Sequence, residues 1–279
     1  MRNIIKTGLC MLLLAIVLIG LSAVVMRAHA ASVSLVISAS SASSAASVTL
    51  SAANSEVRPV DASIVNIVMN GPIDLVLKQA AVPELMVHGE PNMLSRVTTR
   101  IEGNTLYIGT RGMFIVIRQP LRIEMALPAL EKLQMQGSGD AMIKGFHGRQ
   151  FETILRGSGN LQFEGDYQQV LANAVGSGDV NLVLPNSDNI ELTAMGSGNI
   201  NLKGQTKLLT AKMSGSGNLD AVALRANLAV LNASGSSDAK ITATQEVKVR
   251  LSGSGDARIY GNPTKRTVQS SGSGEVNWQ

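Results

Sequence analysis

The chain has 279 residues, of which 45% are hydrophobic but only 3% aromatic, so any core is built from Ala, Val, Ile and Leu. Glycine is abundant at 27 residues and proline scarce at 8, which excludes a collagen-like or Pro-rich disordered chain. The formal charge of +4 owes much to Arg2, Lys6 and Arg27 in the acid-free first 30 residues. The remaining body is close to neutral and lacks the concentrated basic face that nucleic acid requires.

Arg2 and Lys6 precede an apolar run from Leu9 to Met26, and Ala28-His29-Ala30 comes next. Residues 1–30 read as a secretory signal peptide cut after Ala30. The same run is long enough to remain as an uncleaved anchor, the one route by which this chain would touch a membrane. In both cases the body is expected to be exported, to the periplasm, the outer membrane or the cell surface. Cys10, the only cysteine, stands at the start of the apolar run, not at its end where a lipid-bearing cysteine belongs. The exported body therefore has no disulfide, no thiolate metal site and no thiol nucleophile. Residues 31–55 are dominated by Ser and Ala, bury little and read as a spacer, with 33–37 and 48–50 as candidate short strands.

Residues 56–136 are rich in strand patterns without a fixed period. Residues 64–69 and 73–77 flank the turn signal Asn70-Gly71. Further strands are expected at 84–88, 97–101, 106–108, 114–117 and 121–125, with a short helical turn at 92–96. This part is read as an irregular, strand-rich N-terminal cap on the C-terminal half of the chain, since an uncapped sheet edge exposes pairing groups.

From residue 137 to the end the chain repeats. Gly-Ser-Gly begins at Gly137, Gly157, Gly176, Gly196, Gly215, Gly253 and Gly272, and the variant Gly235-Ser236-Ser237 fills the gap, at intervals of 18 to 20 residues. Each copy is followed by Asp140, Asn160, Asp179, Asn199, Asn218, Asp238, Asp256 or Glu275. Apolar and mostly polar residues then alternate, as in Leu161-Gln162-Phe163 and Val180-Asn181-Leu182. The segments before each glycine alternate as well, as in Val247, Val249 and Leu251. Period two marks strands with one buried face. One such unit cannot bury its apolar side, whereas stacked units share a continuous core. The expectation is an all-β, single-chain parallel β-helix (β-solenoid) with two short strands per ~19-residue coil over 137–279. The glycines meet corners that need positive φ, and the Asp or Asn can bond local backbone N–H groups. Trp278 falls at an inward position of the last coil.

At this point the chain resembles a known family, the "putative auto-transporter adhesin, head GIN domain" proteins. The resemblance rests on Glu56-Val57-Arg58-Pro59-Val60, Ile73-Asp74-Leu75-Val76-Leu77, Asn104-Thr105-Leu106-Tyr107-Ile108, and Leu127-Pro128-Ala129-Leu130 leading into Gly137-Ser138-Gly139-Asp140. It covers about residues 56–279. It implies a β-helical fold, an exported location in bacteria and an adhesive role, and it supplies no catalytic residue.

Chemistry is sparse. The Asp/Asn column reads first as turn formation, and no metal or cofactor is assigned. The sharper alternative is a calcium site at Asp238, Asp256 and Glu275, three consecutive acidic rungs without an intervening amide, with Lys240 and Arg258 two residues along. Calcium asks for six to eight oxygen ligands, and the Gly-Gly-x-Gly-x-Asp calcium repeat is missing. Gly-Ser-Gly lacks the third glycine and the lysine of nucleotide loops. The serine column (Ser138, Ser158, Ser177 and onward) needs a base to act as nucleophile, and the body holds only His88 and His147. These two histidines do not make a zinc site.

The reading is therefore a non-enzymatic, exported, adhesin-like binding or structural protein. Its partner is an unidentified envelope or surface ligand, protein or polysaccharide, with end-to-end self-association also open. The outward residues Asn181, Asn201 and Asp220, or Lys240 and Arg258, are the candidate contacts. The enzymatic alternative is a polysaccharide-active β-helix lyase or hydrolase, for which Glu152, Glu164, Asp166, Glu191 and Asp220 are the available carboxylates and are expected on different faces.

Overall fold

The computed structural model describes residues 54–112 and 121–279. The leader, nearly all of the spacer and the strand expected at 114–117 lie outside the described residues. In chain order the first elements are β1 (Ser55–Val57), β2 (Asn66–Asn70), β3 (Ile73–Gln79), β4 (Glu84–His88), α1 (Pro91–Leu94), β5 (Val97–Glu102), β6 (Thr105–Thr110), β7 (Leu121–Leu127) and β8 (Lys132–Gly137). The repeat continues as β9 (Ala141–Gly157), β10 (Leu161–Gly176), β11 (Val180–Gly196), β12 (Ile200–Gly215), β13 (Leu219–Gly235) and β14 (Ala239–Gly253). It closes with β15 (Ala257–Tyr260), β16 (Lys265–Gly272) and β17 (Val276–Trp278).

Successive repeat strands pair in parallel and in register, glycine on glycine: Gly157, Gly176, Gly196, Gly215, Gly235, Gly253 and Gly272 are neighbours along one edge. Each coil contributes two strands, one on either side of the core. This is plainest at β14, whose first half pairs with β15 and whose second half pairs with β16. The chain is thus a parallel β-solenoid of about seven turns, as the repeat predicts.

Alternation places the apolar rows inside. Leu161, Val180, Ile200, Leu219, Ala239 and Ala257 stack in one buried row, and Val170, Ile190, Leu209, Ala229 and Val247 in another. Each buried Val or Leu contributes about 1.5–3 kcal/mol. Half of the scarce aromatics, Phe146, Phe151, Phe163 and Tyr167, gather in the two coils of β9 and β10. Phe151 and Phe163 stack with ring centroids 4.3 Å apart, and Tyr167 lies 5.4 Å from Phe151. The buried Tyr167 hydroxyl donates to the Leu130 carbonyl at 2.5 Å, which satisfies its polar end.

Residues before the repeat are not merely a lead-in. β2 pairs in parallel with β8 and β3 with β9, so β2, the Gly71 turn and β3 form a coil beneath the first Gly-Ser-Gly unit. β6 and β7 extend the same two sides beyond β2 and β3. The spatial order runs against the chain order, which is why no period is legible there. Antiparallel strands then finish both edges: β5 on β6, β4 on β7, and β1 on β4. Arg58 ties this edge to the short helix α1, donating to the carbonyls of Val97 at 2.6 Å and Leu94 at 2.9 Å. At the other end Trp278 is the register partner of buried Ile259, and the Arg266 guanidinium lies 4.3 Å from its ring centroid, a cation–π contact.

Candidate functional site

The Asp/Asn column is a hydrogen-bonded ladder. The Oδ1 of Asp140 accepts the Asn160 N–H at 2.8 Å, Asn160 accepts from Asp179 at 2.8 Å, and Asp179 from Asn199 at 2.8 Å. Asn218 then accepts from Asp238 at 3.3 Å, Asp238 from Asp256 at 2.9 Å, and Asp256 from Glu275 at 3.0 Å. Between Asn199 and Asn218 the link is made by the side-chain amide of Asn218 at 3.2 Å. Each step needs one acceptor oxygen, which Asp and Asn supply equally, so the two alternate freely. Glu275 is the last rung and accepts nothing from a further one among the described residues. The first rung is Asp74, whose Oδ1 accepts the Asp140 N–H at 2.9 Å. The repeat pattern missed it, yet the signal is there: Asp74 comes three residues after Gly71, as Asp140 comes three after Gly137.

The glycines are required by the stacking of these corners. Gly176 has φ +134, and a Cβ on it would lie 1.9 Å from the Gly157 carbonyl oxygen. A Cβ on Gly178 would lie 2.0 Å from the Gly159 oxygen.

The three carboxylates proposed for calcium do stack, but each of Asp238 and Asp256 directs an oxygen to the next backbone N–H. Bonding to the charged form steadies stacked like charges. Among the described residues no group of three or more His, Cys, Asp or Glu side chains is gathered to hold a metal.

The other candidate contacts fall in one outward column. Met142, Gln162, Asn181, Asn201, Asp220, Lys240 and Arg258 are successive register partners along one face. On the opposite face Glu152 and Glu191 share a column through Leu171. Glu152 pairs with Lys132 at 3.0 Å and Glu191 with Lys212 at 3.4 Å. Glu164 lies outward beside the first column and Asp166 at a corner, so these carboxylates divide between the faces, two of them together. His88 has Nε2 3.7 Å from Glu124 Oε2 at the N-terminal edge. His147 stands at the corner opposite the glycines, beside Asp166. The middle serines of Gly-Ser-Gly are exposed, and Ser273 Oγ donates to Ser254 Oγ at 3.2 Å.

Sequence reasoning did not find the groove at this opposite corner. It has a volume of about 620 Å³, and its residues carry no motif of their own.

A parallel solenoid closed by an Asp/Asn ladder on one edge and antiparallel strands at one end defines a non-globular class of repeat scaffold. The chain belongs to the family described as "Putative auto-transporter adhesin, head GIN domain", whose model matches residues 65–263. Solved structures share the fold. A "putative adhesin" from Parabacteroides distasonis matches with a TM-score of 0.72 at 21% identity, covering 80% of this chain and 95% of that one. A "putative adhesin" from Bacteroides fragilis matches at 0.63 and 20% identity, covering 81% and 96%. A "putative lipid binding protein" from Parabacteroides distasonis matches at 0.69 and 24% identity, covering 81% and 97%. No curated protein matches the chain. Among the described residues no helix is long and apolar enough to cross a membrane.

Proposed function

We propose that this protein is an exported, non-enzymatic β-solenoid of the bacterial cell envelope that binds a surface ligand in an adhesin-like manner. The observation that carries the reading is the ladder itself. Its rungs, from Asp74 to Glu275, hold the glycine-side corners of successive coils in register, so outward side chains near that edge recur at one strand spacing, about 4.8 Å. A rigid array of evenly spaced sites turns weak individual contacts into avidity. The family's description as an adhesin domain supports the same reading. Residues 1–30 act as the export leader and 31–55 as the spacer ahead of the binding body, which comprises the N-terminal part 56–136 and the repeat 137–279.

The test is a deletion strain compared with one carrying the gene, scored for attachment, aggregation and envelope integrity. Cell fractionation with surface protease is run in parallel. Loss of attachment or aggregation, with the protein in the envelope fraction, is the expected result. Unchanged behaviour in all three assays, or a protein confined to the cytoplasm, overturns the reading.

A further inference from the structure

We propose that the corner opposite the glycine edge is a binding groove for a neutral, linear polysaccharide lying along the solenoid axis. The inference rests on the adhesive reading for its biological setting and on its own geometry for the ligand.

The groove arises where strand pairing breaks. Register shifts fall between Glu164 and Gln169, Leu184 and Ser187, Asn201 and Gly204, and Ala221 and Arg225. Such bulges bend the strand and re-aim side chains. The result is a trough of about 620 Å³ spanning several coils, within the size range of ligand sites, roughly 300–1,000 Å³.

One wall carries Asp166, Asn186, Gln205 and Arg225, and the other Gln168, Asp188, Lys207 and Asn227. Gln205 and Arg225 are direct register partners, and Lys207 Nζ lies 2.7 Å from Asp188 Oδ1. The floor includes Gly148, where the backbone passes so close to the Tyr167 ring that a Cβ would come within 2.9 Å of it. Its polar groups are already used inward. Ser187 Oγ donates to the Tyr167 carbonyl at 2.7 Å, and Thr206 Oγ1 to the Leu208 carbonyl at 3.0 Å. The wall amides differ: among the described residues, the side chains of Gln168, Asn186 and Gln205 have no hydrogen-bond partner.

These groups specify the ligand class. A side-chain amide offers both donors and acceptors, which matches a sugar hydroxyl, itself donor and acceptor. One amide stands on each of four coils, Asn186 and Gln205 on one wall and Gln168 and Asn227 on the other; the rise of one sugar unit in an extended glycan is close to one coil step, so a linear chain along the axis meets one amide per coil. The charges balance, with Asp166 and Asp188 against Lys207 and Arg225, which disfavours an acidic polymer. Among the described residues no Phe, Tyr or Trp lines this trough, so the sugar is held by hydrogen bonds to the side-chain amides and not by ring stacking.

The test is affinity electrophoresis of the full chain through gels containing dextran, xylan or polygalacturonate. The variants are the groove triple Q168A/N186A/Q205A and the face control N173A/N232A, on the side that carries Glu152 and Glu191, each first shown to melt like the parent. The expected result is retardation by dextran or xylan, weakened about tenfold or more in the groove triple and unchanged in the face control. Three results overturn the proposal: no retardation in any gel, retardation by polygalacturonate alone, or retardation that survives in the groove triple. Complementing the deletion strain separates the two readings. If the deletion strain fails to attach and the groove triple restores attachment fully, the adhesive reading stands and the groove falls. If the deletion strain attaches normally while dextran or xylan binding persists, the reverse holds.

Discussion

The carboxylate of Asp140 accepts two bonds from Asn160, from its backbone N–H at 2.8 Å and from its side-chain amide at 2.9 Å. One residue type at one corner position thereby joins two coils that are 20 residues apart in the chain.

The oxygen, not the charge, is what this joint needs. At Asp179, whose Oδ1 takes the Asn199 N–H, Asp179→Asn is expected to change stability by less than about 1 kcal/mol. Asp179→Ala leaves that exposed N–H to water and is expected to cost more than the Asn variant, about 0.5–1.5 kcal/mol. Urea denaturation of the three proteins checks the order.

The ladder also makes a prediction about calcium. Asp238 and Asp256 are each committed to a backbone N–H, so neither calcium nor a chelator is expected to move the melting temperature. Calorimetric titration showing heat, with a raised melting temperature abolished by Asp256→Asn, would establish the metal site instead.

Close stacking of the corners makes the glycines unequal to other glycines. Gly178→Ala would drive a Cβ to 2.0 Å from the Gly159 carbonyl oxygen. It is expected to cost more than about 3 kcal/mol or to prevent folding. Gly103 also has positive φ, +58, but nothing lies within 4 Å of its added Cβ, so Gly103→Ala is expected to cost only about 1 kcal/mol. Soluble yield and thermal melts compare the two.

In the core, Phe151→Ala removes the ring stacked on Phe163 and is expected to cost about 3–5 kcal/mol. Val183→Thr, on an exposed outward position, is expected to stay within about 0.5 kcal/mol. Chemical denaturation measures both.

Burial, and secondarily the charge of Glu131, pushes the Tyr167 hydroxyl well above the ordinary tyrosine range. The folded protein therefore holds this proton where the unfolded chain releases it. That contribution is complete below the unfolded value of about 10 and declines as pH rises above it. Tyr167→Phe is expected to flatten this alkaline decline while costing about 1–3 kcal/mol at neutral pH, since the Leu130 carbonyl loses its donor. Melts from neutral pH into the strongly alkaline range read both effects.

How much was legible depends on where order is local. In the repeat, the two-residue alternation names the buried rows, and the glycine period names the corners, because every coil meets the same neighbours and is held to the same pattern. Asp140 to Glu275 could therefore be aligned from the sequence as one column. Among the described residues, 56–136 yielded their strands but not their place. β6 and β7 lie outside β2 and β3 although they come later in the chain, and pairing between distant segments leaves no period to read. Asp74 keeps its spacing of three from Gly71 but lacks the Gly-Ser-Gly that marks the other corners.

The amino-acid sequence by itself determined the architecture, since alternation, glycine corners and amide or carboxylate acceptors admit only stacked coils with a shared interior. Tertiary structure alone decided the rest. It turned the acidic rungs toward the backbone N–H groups of the next coil, brought Glu152 and Glu191 into one column, and opened a polar trough at a corner where register slips. Those outcomes depend on which side chains from separate coils meet in space, and the bulges that set that meeting show in the sequence only as a drift of the repeat between 18 and 20 residues, which does not say where in the coil the shift falls.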